Sequence, residues 1–182
     1  MVIVGFCLFL VWSFLNVSFQ VIRESTIPQV EVDDVNLTGF MLSPTNNTLY
    51  YDVAANMTFK NPYSKVGIQF DKIDADLMYQ GQRLGTKVML DVFYLPPNKE
   101  KSNVNVILRG EHVLQLINGD EKLVYASENK SGVYKIGLKV RIVTSFMWLN
   151  LNSGRTTVEI MCDNLQILSS MGMFGMRACG SL

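Results

Sequence analysis

From residue 29 to residue 168 apolar and polar side chains alternate with a period of two, and helix-length apolar stripes are almost absent. The clearest run is Thr48–Lys60. Its odd positions Leu49, Tyr51, Val53, Ala55, Met57 and Phe59 are apolar, while Asp52, Asn56, Thr58 and Lys60 alternate with them. That spacing predicts a strand with one face in a core. Val133–Phe146 repeats the pattern, with Tyr134, Ile136, Leu138, Val140 and Ile142 inward and Lys135, Lys139 and Arg141 outward. Shorter strands are predicted at Gln29–Leu37, Thr86–Phe93, Asn103–Arg109 and Arg155–Ile167. Within Val66–Gln80 the phase slips, because Ile68 and Phe70 use even positions and Ile73, Ala75, Leu77 and Tyr79 odd ones. A bulge at Asp71-Lys72 would let both halves pack.

Turn residues punctuate these runs at Asn61-Pro62, Gln80-Gly81, Pro96-Pro97-Asn98, Ser131-Gly132 and Ser153-Gly154. Only Glu111–Tyr125 resists a strand reading, and a short helix is expected there before the Asn118-Gly119 turn. About seven strands at this spacing predict an all-β antiparallel sandwich over residues 29–168.

A different pattern precedes the strands. No charged residue stands before Arg23, and Met1–Ile22 is rich in Val, Leu, Ile and Phe. As a helix rising ~1.5 Å per residue, about 20 such residues cover the hydrocarbon core of a bilayer. Residues 1–22 are therefore expected to form a transmembrane signal-anchor helix and 23–28 a linker. A cleaved signal peptide is the competing reading; it lacks a basic start and an Ala-x-Ala end here. The tail 169–182, with small residues and scattered Met, is expected to be poorly ordered.

Charge is balanced, 16 basic against 16 acidic, so the nucleic-acid footprint is missing. Asn-x-Ser/Thr occurs at Asn16, Asn36, Asn46, Asn56 and Asn129, against roughly two expected by chance. Asn16 lies inside the apolar run. The other four are glycosylation candidates and place residues 24–182 in the lumen or outside the cell. Cys7 is in the apolar run, which leaves Cys162 and Cys179 as the one pair beyond it. Cys162 falls within a strand pattern, and a buried free thiol is the preferred reading over a disulfide.

Candidate chemistry is sparse. His112, the single histidine, stands beside Glu111 without a nucleophile signature around it and is expected on a partly exposed loop. Asp74 and Asp76 share one strand face, with Asp71 and Asp91 nearby. Calcium needs about six or more converging oxygens, so a solvated sheet face is preferred. Asn118-Gly119-Asp120 outlines an adhesion tripeptide and equally suits a tight turn. Lys99, Lys101, Lys130, Lys135, Lys139 and Arg141 could meet anionic headgroups or acidic wall polymers, with ordinary solvation preferred. Walker, Rossmann and zinc spacings are missing, so no catalytic, metal or cofactor residue is assigned.

The segment Lys60–Gly85 carries a longer signature. Asn61-Pro62 is followed by a basic residue, Gly67-Ile68 and Phe70-Asp71, and an alternating strand ends in Tyr79-Gln80-Gly81-Gln82-Arg83-Leu84-Gly85. This resembles the plant NHL proteins, the harpin-induced and non-race-specific disease-resistance group, whose external domain is of the late-embryogenesis-abundant type 2 class. The match continues more loosely through Val104–Leu116, Lys139–Arg141 and Cys162-Asp163. It implies a fibronectin-III- or immunoglobulin-like sandwich behind a retained membrane helix. It also implies a non-catalytic role in pathogen defence or abiotic stress at the plasma membrane, with the endoplasmic reticulum as alternative. The implied partners are the bilayer and other membrane or cell-wall proteins; a homo-oligomer is left open, and no nucleic acid is expected. Members of that family carry a Pro-rich or basic cytosolic tail ahead of the helix, whereas this sequence starts within the apolar run. A reading of another class is a tethered carrier of lipids or hydrophobic ligands, with Tyr51, Phe59, Phe70, Tyr134 and Phe146 lining a gap between sheets.

The motif residues also have roles that follow from backbone chemistry. Pro62 removes a ladder donor and ends the preceding strand. Gly67, Gly81 and Gly85 permit close approaches or turns that a side chain would hinder.

Overall fold

A computed structural model describes residues 5, 9–13, 27–115, 120–148, 151–168, 172–173 and 177–181. Eleven strands are assigned among them: β1 Gln29–Leu42, β2 Thr48–Lys60, β3 Gly67–Tyr79, β4 Gln82–Leu90, β5 Phe93–Leu95, β6 Glu100–Val113, β7 Val133–Trp148, β8 Leu151–Leu168, β9 Gly172–Met173, β10 Arg177–Ala178 and β11 Gly180–Ser181. A helix, α1, spans Asp120–Ser131. One sheet runs β10-β1-β2-β6; the other runs β11-β8-β7-β3-β4, with β5 on β3 and β9 on β8. Every pairing is antiparallel.

The inner faces meet in one core. Leu49, Val53, Ala55, Met57 and Phe59 of β2 lie against Ile68, Phe70, Ile73, Ala75 and Leu77 of β3 and Leu138, Val140 and Ile142 of β7, all buried. The period-two reading of β2 and β7 thus holds for every residue expected inward, while Thr58, expected outward, is buried where its hydroxyl donates to Asp33. The β3 register shifts between Phe70 and Lys72, and residues on both sides of the shift are buried. An extra residue there flips the inward parity, as the phase slip requires.

Elsewhere the boundaries move for local reasons. β1 continues from Leu37 to Leu42 through a register shift beside Gly39. β4 starts at Gln82 rather than Thr86, its alternation broken around Gly85 (φ 68°). β6 starts at Glu100, and β8 starts at Leu151 ahead of Gly154 (φ 65°). The helix expected before residue 118 lies after it, because β6 runs on through Glu111, His112 and Val113. Asp120 and Glu121 in its first turn and Lys130 in its last complement the helix dipole, and Gly132 (φ 70°) follows its end. The stretch expected as a loose tail supplies β9, β10 and β11.

Residues 9–13 are helical, and no helix among the described residues is long and apolar enough to cross a membrane. Most of the expected anchor, with Cys7 and Asn16, lies outside the described residues.

The sandwich has two distinct ends. At the entry end, where residue 27 joins it, Gln29 pairs with Lys60, Lys60 with Glu100, and Gly67 with Met147. At the far end sit the β1–β2 turn, the β3–β4 hairpin and α1.

Candidate functional site

The signature of residues 60–85 divides between these two ends. At the entry end Asn61 is buried and its side-chain amide donates to the carbonyls of Val66 (2.8 Å), Leu95 (3.2 Å) and Pro96 (3.1 Å). Its Oδ1 accepts from Tyr63 N at 3.1 Å, and its backbone N–H donates to Lys99 O at 2.9 Å. Pro62, exposed, stops β2 at that point. Gly67 lies under Tyr94, whose hydroxyl would come within 2.0 Å of any Cβ there. Phe70 stacks on Phe93 (4.6 Å) and meets Phe59 edge-on (5.5 Å). Asp71, half-buried, pairs with Arg155 at 3.4 Å.

At the far end Gln80 (φ 48°) and Gly81 (φ 74°) form the two-residue turn between Tyr79 and Gln82. Positive φ at both central positions matches the twist of the flanking strands. Around this turn the signature side chains receive the chain that links β6 to β7. Tyr79 donates its hydroxyl to Glu128 Oε2 of α1 at 2.7 Å. Gln80 Nε2 donates to Glu121 O at 3.1 Å. Gln82 both donates to Gln115 O and accepts from Gln115 N, at 2.8 Å each. Arg83 stands 3.9 Å from Asp76, Leu84 is buried, and Gly85 adjoins the Tyr51 hydroxyl, which a Cβ would meet at 1.8 Å.

Glu128, which the sequence did not mark, is the centre of this docking. It is buried, and its Oε1 accepts from Lys135 N at 3.2 Å. Both carboxylate oxygens therefore have donors. Burial, ahead of the bond to Glu128, pushes the Tyr79 hydroxyl far above the usual tyrosine range. Tyr125 of α1 donates to Phe40 O (3.3 Å) and accepts from Leu42 N (3.0 Å), which closes the cap over Phe40 and Tyr134. A polar carboxylate in a polar helix leaves no periodic trace, so no pattern could have found it.

The acidic face is not the solvated one expected. Asp74 and Asp76 are 2 % and 5 % exposed. Lys72 and Lys87 lie over Asp74 at 3.2 and 3.8 Å, and Arg83 over Asp76. Asp74 pairs across β7 with Arg141 and Asp76 with Lys139, and both cations bond Glu159 of β8. The bonds from Lys139 and Arg141 hold the Glu159 carboxyl below its usual range. The result is a ladder of alternating charge across four strands. Among the described residues no group of three His, Cys, Asp or Glu could hold a metal.

The remaining candidates scatter. Asn36, Asn46 and Asn129 are exposed and Asn56 half-exposed. Asn36 and Asn56 share the outer face of the β1-β2-β6 sheet, Asn46 lies in the β1–β2 turn, and Asn129 on α1 accepts from the Tyr134 hydroxyl at 2.8 Å. Asn118 and Gly119 lie outside the described residues, and Asp120 opens α1. His112 is on strand β6 opposite Leu49, not on a loop. Lys99 and Lys101 are at the entry end, Lys130 is on α1, and Asp91 is exposed between β4 and β5. Tyr51, Phe59, Phe70, Tyr134 and Phe146 are all within the packed core rather than around a gap.

One expectation is overturned outright. Cys162 and Cys179 form a disulfide closing a separation of 17 residues. The β11 strand pairs Gly180 with Met161 of β8, which sets Cys179 beside Cys162.

The late embryogenesis abundant protein model LEA_2 matches residues 56–154, more than half the chain. Similar curated proteins, all from Arabidopsis thaliana, are NDR1/HIN1-like protein 3 (30% identical over 89% of this chain and 65% of that protein), protein 2 (32%; 75% and 55%) and protein 10 (28%; 81% and 63%). The chain thus spans 55% to 65% of the length of these relatives. A solution structure of AT1g01470 from Arabidopsis thaliana aligns over 77% of this chain and 80% of its own at 18% identity, with a TM-score of 0.32. The family model covers more than half of the chain, which therefore belongs to the late embryogenesis abundant type 2 family and is similar to the NDR1/HIN1-like proteins.

Proposed function

We propose that this protein is a single-pass membrane protein that displays its β-sandwich outside the cytosol and acts by binding, without catalysis, in plant stress or defence responses. The observation that carries the topology is the Cys162–Cys179 disulfide, a bond that persists in oxidising compartments. Four sequons at exposed or half-exposed positions support the same side. The defence or stress role rests on the kinship with NDR1/HIN1-like proteins. The seven long strands split three and four, which supports the fibronectin-III-like reading. The structural use made of the signature residues supports a scaffold rather than an enzyme, because their donors and acceptors are spent on one another.

Endoglycosidase digestion of the protein from a plant membrane fraction, with protease protection in sealed vesicles, tests the topology. A mobility shift and a protected domain are expected. An unshifted, protease-sensitive domain would place it in the cytosol and end this reading.

A further inference from the structure

We infer that the open edge of β6 is an interface for a second copy of this chain, joined antiparallel about a two-fold axis at Gly110. β6 borders its sheet, with β2 on one side and no strand hydrogen-bonded to the other among the described residues. Such a border shows a row of free N–H and C=O groups, which proteins blunt with lysine, proline or a bulge. In β6 the blunting stops at Asn103. Lys101 precedes it, Asn103 itself has φ 58°, and the register against β2 slips by one residue between Lys101 and Val104. From Val104 to Val113 the pairing with Met57–Thr48 is unbroken, and the stretch holds no proline or lysine. The other open border, β4, is interrupted: its register shifts around Gly85 (φ 68°), and Lys87 follows.

The side chains along this edge name the partner. Read outward from Gly110, Arg109 answers Glu111 and Ile107 answers Val113, so the stretch is a palindrome in chemistry. Ile107, Arg109, Glu111 and Val113 are all exposed, whereas Leu108 is buried and Gly110 and His112 half-buried. A two-fold at Gly110 keeps outward side chains with outward ones. It sets Arg109 opposite Glu111 of the second copy, and Ile107 opposite Val113, each twice. Opposite charges and apolar pairs directly across a ladder stabilise it, and like charges oppose it. An axis one residue away, at Arg109 or at Glu111, would set two like charges face to face. An intermediate register would set outward side chains against inward ones. Gly110 brings no side chain to the axis, where the Tyr51 hydroxyl already fills the inner side. Arg109 also bonds Asp52 of β2 at 2.6 Å, so in the pair it would stand between two carboxylates. Asn56, the sequon residue on β2, lies opposite Asn105, outside the pairing stretch. A contact of this kind uses one patch on both copies and closes on itself. Antiparallel pairing sends the two entry ends apart, so copies held in one bilayer would meet with their strands lying along it.

The test follows self-association of the full chain in density-matched detergent by analytical ultracentrifugation. Wild type is expected to dimerise, with a Kd that rises with salt. Glu111→Arg would face Arg109 of the second copy, and Arg109→Glu would face Glu111; each should raise the Kd about tenfold. Mixed, the two variants regain opposite charges at both pairs and should recover most of that loss, which misfolding of either could not produce. Disulfide trapping in a Cys7→Ser background reads the register: Ile107→Cys mixed with Val113→Cys should cross-link, and neither should do so alone. A wild-type chain that stays monomeric throughout the concentration series would overturn the interface. So would a Kd unmoved by Glu111→Arg, no recovery on mixing, or cross-linking of Ile107→Cys to itself.

Discussion

The signature side chains act mainly by satisfying buried backbone. Replacing Asn61 with Ala strands the carbonyls of Val66, Leu95 and Pro96 and the N–H of Tyr63. We expect a loss of about 2–4 kcal/mol in urea unfolding, since each buried group without a partner costs roughly 1–3 kcal/mol. Two glycines separate by what covers them. Gly67→Ala meets the exposed Tyr94, which can swing away; Gly85→Ala meets the buried Tyr51 at φ 68°. Gly85→Ala should therefore cost more, about 1–3 kcal/mol. Tyr51→Phe, which removes the hydroxyl that a Cβ would strike, should recover part of it in the double variant. Additive losses in urea unfolding of the single and double variants would contradict that coupling.

At the scale of elements, α1 is held by a carboxylate and a phenol rather than by an apolar stripe. Tyr79→Phe leaves Glu128 Oε2 without its donor, at a cost of about 1–3 kcal/mol near neutral pH. The pH dependence has a definite sign. An unfolded tyrosine ionises near pH 10, while burial keeps Tyr79 protonated well above that. Its contribution is thus intact below about pH 10 and falls by up to about 1.4 kcal/mol per pH unit above it. Urea midpoints at about pH 9 and about pH 11 should show the wild-type protein losing more than Tyr79→Phe. Tyr51 and Tyr134, also raised by burial, keep the variant's slope from vanishing.

These same elements mark what a single sequence can disclose. Thr48–Lys60 was legible to its last residue, and the bulge at Asp71-Lys72 was legible from parity alone, because core packing writes itself into alternation. Asp74 and Asp76 were misread because alternation reports which face a residue is on, not whether long cations on neighbouring strands lie over it. Cys179 was misread because pairing across 17 residues depends on where the chain returns. Glu128 met Tyr79 only through a separation of 49 residues, beyond any local pattern.

For the whole molecule the returning chain matters most. Residues 177–178 pair with β1, Cys179 N–H donates to Val30 O at 3.1 Å, and residues 180–181 pair with β8, so the strap laces the two sheets along one side. Closing a loop of this length is worth about 3 kcal/mol. Cys179→Ser should lose about that much in thermal or urea unfolding, with faster protease cutting after residue 168. Unchanged stability would mean that the strand pairs alone hold the strap.

That lacing also gives the sandwich a direction. Its β1 and β8 borders are engaged by the chain's own end, while the β4 and β6 borders lack a strand neighbour among the described residues. The cover is local: the returning chain pairs with residues 31–32 of β1 and with residues 160–161 and 167–168 of β8. Where it lies, the disulfide-locked strap occupies backbone donors and acceptors that a second strand would otherwise reach.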